Sequence, residues 1–309
     1  MRAINCTHLL TGAGVANNQT IEIDGERISA LRASAMAPKP RLLAMPALVN
    51  AHDHGRAVRT SSIGASGKPL EAWLQYLALF PSVDPYLAAS VALGNSALGG
   101  AGIVMMHYTR AQGFTDLPTE VTEVARAARD VGVRVGFAVS MKDRNPIGYG
   151  PPEPLLDALP KDAREEIVSR FVRPPLAPKD HIKLVEDVAA AADGPTFNVQ
   201  YGPNGVQWCS DALLEAIAEA SSLSGRRIHM HLFETRYQRG YLDQLYGGGA
   251  VKFLDSIGLL SPRLTLAHCV WARPDELELL AARSMTMTTC CASFASPIFC
   301  ISVQGSRRK

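Results

Sequence analysis

The sequence predicts an α/β protein, a (β/α)8 TIM-type barrel incomplete at its C-terminal end, with a small N-terminal β-rich unit ahead of it. Two observations carry this expectation. Beyond Pro46, short apolar runs alternate with longer amphipathic stretches, and strands that read apolar on both faces are parallel strands covered by helices. Up to Met45 the chain holds only short β-type runs with turn signals between them. The expected organisation is therefore a β unit over 1–45, a barrel of about seven strands over 46–289 and an atypical tail over 290–309.

In the first unit, residues 20–23 and 27–31 read as strands joined by Asp24-Gly25-Glu26, a hairpin-like turn. The barrel strands fall at 47–51, 103–107, 133–139, 196–201, 227–232, 264–269 and 284–289. Helical stretches lie between them at 84–97, 118–130, 179–192, 210–221, 237–257 and 274–283. Pro274 followed by Asp275 and Glu276 suits a first helical turn, where a missing N–H costs nothing and negative charge meets the helix dipole. Ser210 caps the helix after Trp208, and Gly132 ends the one that begins near Pro118. A doubly wound open sheet is the alternative, but its phosphate fingerprint, G-x-G-x-x-G, does not follow Ala51.

The barrel count stops short. A further helix–strand pair needs roughly 30 residues with its loops, and 20 remain after Thr289. Residues 290–309 hold three of the six cysteines, show no helical period and lie largely in an uncharged run from Ser284 to Gly305. Pro297 and the many Ser and Thr residues make that run too polar for a membrane anchor. A truncated or frame-shifted coding end is the expectation.

Composition excludes other classes. Thirty-one Lys and Arg against 29 Asp and Glu leave a net charge of +2, so there is no basic footprint for nucleic acid. With 47% hydrophobic and 19% charged residues the chain is compact rather than disordered. Six cysteines without a C-x-x-C pair are neither a disulfide framework nor a metal clip. The N-terminus lacks the sustained apolar core of a signal peptide. These features point to a reducing, cytoplasmic setting with no membrane or nucleic-acid partner, and a homo-oligomer is compatible with them.

Three strand ends carry chemistry. Pro46-Ala47-Leu48-Val49-Asn50-Ala51-His52-Asp53-His54 runs an apolar strand into His-x-His. Alternate strand residues face one way, which sets the two imidazoles roughly 6–7 Å apart on the side that forms the mouth of a barrel. Such a pair suits one divalent ion, Zn or Fe. Arg227-Ile228-His229-Met230-His231-Leu232-Phe233-Glu234-Thr235 again ends in histidine. His231 supplies a third nitrogen from across the barrel, and Glu234, beyond the strand end, is placed to shuttle a proton. His229 shares the face of His231 one pleat deeper, as a packed or supporting ring. Leu264-Thr265-Leu266-Ala267-His268-Cys269-Val270-Trp271 is the third, where His268 is set to hydrogen-bond the activated water or polarise a substrate carbonyl.

Taken in this order, P-x-L-V-N-A-H-x-H, H-L-x-E-T and L-A-H-C-V-W resemble the amidohydrolase superfamily, specifically its cytosine deaminase and atrazine chlorohydrolase-like branch, over residues 1 to about 289. The resemblance implies one divalent metal, Zn or Fe, held by His52, His54 and His231. It implies Glu234 as the acid/base and His268 as a contact to nucleophile and substrate rather than a ligand. It also implies that the N-terminal strands are half of a composite β-sandwich. The family's eighth-strand aspartate, which completes the metal shell, has no counterpart, because the likeness ends near Thr289. A metal site with less charge compensation and a barrel with open strand edges follow, so the chain alone is expected to be poorly stable and weak or dead as a catalyst.

Substrate contacts are expected from Arg56, directly after the metal pair, and from Gln200, Asn204 and Trp208 on the segment after the fourth strand. Amides and an aromatic face suit a flat, hydrogen-bonding heterocycle. His107 reads as a core or mouth histidine, and Asp143 and Arg144 as substrate contacts or solvated charges. Tyr237-Gln238-Arg239 reads as a run that positions its helix. The function expected is metal-dependent hydrolysis of a non-peptide C–N bond, by deamination or amide or amidine hydrolysis of a small heterocyclic substrate. The alternative is a truncated, non-catalytic relic that at most binds metal or a partner.

Overall fold

The computed structural model describes residues 2–34 and 41–288, and the tail expectations for 290–309 lie outside that range. The chain divides into two compact units, Met1–Leu48 and Val49–Lys309. In the first, strands β1 (Arg2–Thr11), β2 (Gly14–Asp24), β3 (Arg27–Ala33) and β4 (Leu43–Ala44) form one sheet in the order β3-β2-β1-β4. The β2–β3 hairpin turns at Asp24 to Arg27, as the Asp-Gly pair predicts, with Gly25 at φ +57°. Cys6, Leu9 and Ile21 make its small core.

Among the described residues the second unit shows seven strands of a (β/α)8-type barrel. Its strands are β5 (Leu48–Asp53), β6 (Ala101–Tyr108), β7 (Arg134–Met141), β8 (Phe197–Pro203), β9 (Ile228–Leu232), β10 (Leu264–His268) and β11 (Thr286–Thr288). They lie in sequence order in one seven-stranded sheet, parallel wherever a register links β6 through β11. The sheet is strongly curled. Strands β5 and β9 are four places apart, about 19 Å in a flat sheet, yet His52 Nδ1 on β5 lies 2.8 Å from His229 Nε2 on β9.

Helices α1 (Leu70–Trp73) and α2 (Pro85–Leu98) connect β5 to β6, and α3 (Leu117–Val131) connects β6 to β7. Between β7 and β8 run α4 (Glu153–Asp157), α5 (Lys161–Phe171) and α6 (Pro178–Ala192). Next come α7 (Asp211–Ser224), α8 (Arg236–Leu245), α9 (Ala250–Ser256) and α10 (Pro274–Ala282). Ser210 Oγ accepts the Leu213 N–H at 3.1 Å, and Gly132 closes α3 at φ +83°, both as the sequence predicts. The helix expected over 237–257 is instead two helices, because Gly247-Gly248-Gly249 interrupts it. Helices α4 and α5 escape the sequence pattern because neither buries a residue, so no apolar stripe marks them. Among the described residues no helix is long and apolar enough to cross a membrane.

Alternation along the strands sorts the interior into two environments. Val135, Phe137 and Val139, Phe197, Val199 and Tyr201, and Ile228, Met230 and Leu232 join one core with helix residues such as Val121, Val185 and Ile217. The other face carries polar groups: His107, Gln200, His229 and His231 are all buried. The strands are thus apolar on one face, not on both. The second face is the lumen, and it holds the site.

Candidate metal centre and catalytic groups

At the end of β5 the chain turns sharply. Asp53 Oδ1 accepts the backbone N–H groups of His54 at 2.6 Å and Gly55 at 2.9 Å, a turn closed by its own side chain. Gly55 sits at φ +64°, and a Cβ there would meet Met106 Sδ at 2.6 Å. Neither alanine nor anything larger fits that position without movement. The turn delivers His54 back toward His52, their ring centroids 4.9 Å apart. His231, from β9, lies 4.8 Å from His52 and 5.2 Å from His54 by the same measure.

The second nitrogens explain how these rings are aimed. His54 Nδ1–H donates to the His107 carbonyl at 3.0 Å, and His231 Nδ1–H donates to the Asn204 carbonyl at 2.8 Å. A carbonyl can only accept, so each ring holds its proton on Nδ1 and turns an Nε2 lone pair inward. His52 Nε2 is buried with no hydrogen-bond partner. One ligand atom from each of His52, His54 and His231 lies within 4.8 Å of the others. Nitrogens bound about 2.0–2.1 Å from one zinc ion stand roughly 3.3 Å apart, so the donor set fits one cation once the rings close by up to about 1.5 Å. Burial holds all three imidazoles well below the ordinary histidine range, with the neighbouring charges adding to the effect. They are neutral, as ligands must be.

His268 arrives by an unusual route. Thr265 pairs with His229 and Ala267 with His231, so these residues share the lumen face, whereas His268 pairs with Leu232 of the opposite face. Strand parity would turn its ring away. Its backbone lies instead at φ +77°, followed by Cys269 at φ +52°, and the ring enters the lumen 5.0 Å from His52 and 5.5 Å from His231. Two successive left-handed non-glycine residues cost on the order of 1 kcal/mol or more each. The cost is met where the strand ends at the site.

Glu234 stands opposite. It follows Phe233, itself at φ +50°, and its N–H donates to Gln238 Oε1 at 2.6 Å, while Thr235 Oγ caps α8 through the Gln238 N–H at 3.0 Å. Glu234 Oε2 lies 3.6 Å from His268 Nε2. Burial first, and the Glu71 carboxylate second, push the Glu234 carboxyl up to about 7, against the opposing pull of Arg56. Burial brings His268 down to about 4. Near neutral pH the contact therefore joins a neutral ring to a carboxyl close to its midpoint, a poise suited to taking and returning a proton.

A profile of the amidohydrolase family matches residues 43–300. The chain belongs to the amidohydrolase family. It is 27% identical over 249 residues to the 5'-deoxyadenosine deaminase of Methanothermobacter thermautotrophicus, covering 80% of this chain and 50% of that protein. It is 28% identical over 251 residues to the 5-methylthioadenosine/S-adenosylhomocysteine deaminase of Pyrococcus furiosus, covering 81% and 52%. The chain thus spans about half the length of the curated relatives it matches. Among solved structures, an atrazine chlorohydrolase variant from Arthrobacter aurescens TC1 complexed with zinc and atraton superimposes with a TM-score of 0.73 at 22% identity. That match covers 94% of this chain and 66% of the other. The structure of an adenosine deaminase from Xanthomonas campestris with bound zinc gives a TM-score of 0.66 at 19% identity, covering 93% and 62%.

At the mouth of this amidohydrolase, the four expected substrate contacts separate into two pairs. Arg56 has its guanidinium carbon 5.5 Å from the Trp73 ring centroid, and burial lowers its pKa to about 10. Trp208 is half-buried beside Tyr149, 5.8 Å between centroids. Asn204 and Gln200 are committed elsewhere. Asn204 Oδ1 accepts Ser140 Oγ–H at 2.8 Å and contacts His107 Nε2 at 3.2 Å, while its carbonyl aims His231. Gln200 is not on a loop, because β8 runs on to Pro203. Its amide donates to Asn198 Oδ1 at 3.1 Å inside the strand layer. Asp143 and Arg144 are structural: Asp143 accepts both the N–H and the hydroxyl of Ser210, and Arg144 donates to the Val206 carbonyl at 2.6 Å.

Glu71 is a group the sequence reading did not find. Its Oε1 accepts Thr235 Oγ–H at 2.6 Å and Tyr149 O–H at 2.7 Å, and its Oε2 is buried without a partner. It sits on a four-residue helix in a long connection, and no local motif marks it.

Proposed function

We propose that the chain catalyses hydrolytic deamination of an aminated heterocycle, with His52, His54 and His231 holding one divalent cation, zinc or iron, Glu234 as proton shuttle and His268 as a contact to the reacting oxygen. The observation that carries this reading is the convergence of one ring nitrogen from each of three histidines, two of them aimed by main-chain carbonyls, beside a carboxyl poised at about 7. A divalent ion at such a set supplies Lewis acidity that lowers the pKa of a water molecule toward neutrality.

The chain's own groups do the rest. Glu234 takes a proton from the attacking water as its oxygen adds to the sp2 carbon of the ring, and returns that proton to the departing nitrogen. The C–N bond breaks and ammonia leaves with that proton, while the hydroxyl proton of the adduct passes to the ring nitrogen as the ring carbonyl forms. His268 Nε2 has no hydrogen-bond partner and faces Glu234 across 3.6 Å, so an N–H there steadies oxygen in the tetrahedral adduct. Arg56, with no hydrogen bond to any described residue, is free to bind a substrate carbonyl or anionic group, and Trp208 with Tyr149 offers an aromatic wall. The relatives' names favour an aminopurine nucleoside as the substrate class.

The test is ammonia release from adenosine-type nucleosides, cytosine and aminotriazines by protein of known metal content, with His231→Ala as control. Loss of metal and turnover together in His231→Ala supports the reading. Retention of both would overturn it.

A further inference from the structure

Of the three proposed ligand rings, two are aimed by the main chain. His54 and His231 each donate Nδ1–H to a backbone carbonyl. His52 differs, because its Nδ1 lies 2.8 Å from Nε2 of His229, a ring able to donate or to accept. His229 is fully buried on β9, two residues before His231, and stacks on His52 at an interplanar angle of 26°.

Counting protons leaves two directions for that bond. Each neutral ring carries one proton, and the contact places one proton between the two nitrogens. If His229 donates from Nε2, His52 keeps its own proton on Nε2 and presents no lone pair to the lumen. If His52 donates from Nδ1, its Nε2 lone pair is free, and His229 must carry its proton on Nδ1. Both His52 Nε2 and His229 Nδ1 are buried without partners. One arrangement leaves an unpaired N–H at His52, the other leaves it at His229, so hydrogen bonding within the protein does not choose between them. A cation at His52 Nε2 does.

We propose that His229 is a positioning residue whose Nε2 accepts the Nδ1–H of His52, fixing that ring as an Nε2 donor toward a divalent cation. The inference rests on the reading of His52 as a ligand and adds the group that aims it. Partners of this kind on ligating histidines change metal affinity by roughly 10–100-fold when removed.

Two measurements on the full chain test it. In protein labelled with ¹⁵N-histidine and loaded with zinc, long-range ¹H–¹⁵N spectra report which nitrogen of each ring bears the proton. His52 and His229 are both expected as Nδ1–H, and His229 found as Nε2–H overturns the proposal. Zinc affinity, measured by chelator competition, is then compared between His229→Gln, whose amide oxygen accepts in place of Nε2, and His229→Phe, which keeps a ring but accepts nothing. The expected result is a Gln variant within about threefold of the parent and a Phe variant weaker by roughly 10–100-fold, with the visible bands of the cobalt-loaded protein moved only in the latter. Equal affinities and spectra in both variants overturn the proposal. If His229→Phe does not fold, His229→Leu makes the same comparison of acceptor against none. A parent chain that takes up no stoichiometric metal, or that keeps its affinity in His231→Ala, would sink the ligand reading itself. That result differs from a parent that binds normally while the His229 variants are indifferent.

Discussion

Glu234 Oε2 and His268 Nε2 stand 3.6 Å apart, and each side chain reaches that position through a residue in the left-handed region, Phe233 at φ +50° and His268 itself at φ +77°. Neighbouring strands β9 and β10 thus end in a pair of backbone reversals that turn two functional groups into one space. Main-chain bonds between the two ends, Cys269 N–H to the Leu232 carbonyl at 2.8 Å and Trp271 N–H to the Phe233 carbonyl at 3.1 Å, hold the reversals together.

The raised Glu234 carboxyl predicts a pH signature in metal-free protein. An unfolded glutamate ionises near its ordinary value, whereas the folded one ionises at about 7. The folded state therefore binds the proton more tightly, and stability falls as pH rises from about 4.5 to about 7, with an upper bound of about 3 kcal/mol. Glu234→Gln removes this dependence. Urea denaturation in the presence of a chelator should show the variant gaining on the parent between pH 5 and pH 8, and parallel profiles would count against a buried, ionisable Glu234.

Gly55→Ala should damage the His54 turn. The added Cβ meets Met106 Sδ at 2.6 Å and forces a non-glycine residue to φ +64°. A loss of about 1–3 kcal/mol is expected, together with weaker zinc retention during dialysis. A variant with unchanged midpoint and metal content would show that the turn is more compliant than its contacts indicate.

Arg239 and Glu276 join α8 to α10 by two bonds of 2.7 and 2.6 Å, with only 9% and 8% of their side chains exposed. Arg239 also lies 4.4 Å over the Phe233 ring, next to Glu234. Glu276→Ala leaves the guanidinium buried with Asp243 as its remaining carboxylate partner, at a cost of about 3 kcal/mol. Chemical denaturation measures it, and a loss below about 1 kcal/mol would mean that the pair contributes no more than a surface one.

For substrate binding, Arg56→Ala is expected to raise KM about tenfold while kcat changes by less than about threefold, the pattern of a lost ground-state contact. Steady-state kinetics on the best deaminated substrate separates the two. A fall in kcat at constant KM would move Arg56 into the chemical step instead.

Much of this architecture was legible in the sequence, because the signals are local. The strands of the barrel, the His-x-His at the end of β5 and the caps at Ser210 and Gly132 each follow from a few adjacent residues. What was not legible depends on contacts between distant segments or on single dihedral angles. Parity alone points His268 away from the lumen, and only its positive φ brings it in. Gln200, near the end of the strand expected over 196–201, spends its amide on Asn198 within the strand layer, a contact no motif announces. Glu71 matters because a connection folds onto Thr235, 164 residues further along the chain. The break at Gly247-Gly248-Gly249 was visible in composition but masked by the apolar residues on either side.

The carbonyls of His107 and Asn204 that orient two of the imidazoles exist whatever side chains those positions bear. Mutation cannot erase such acceptors without redrawing the barrel rim, so the aim of His54 and His231, two of the three proposed ligands, is inherited with the topology. Evolution of new specificities can then rework the surrounding loops at little risk to those two rings. The aim proposed for His52 hangs on a single replaceable side chain, and drift in this lineage should register there first.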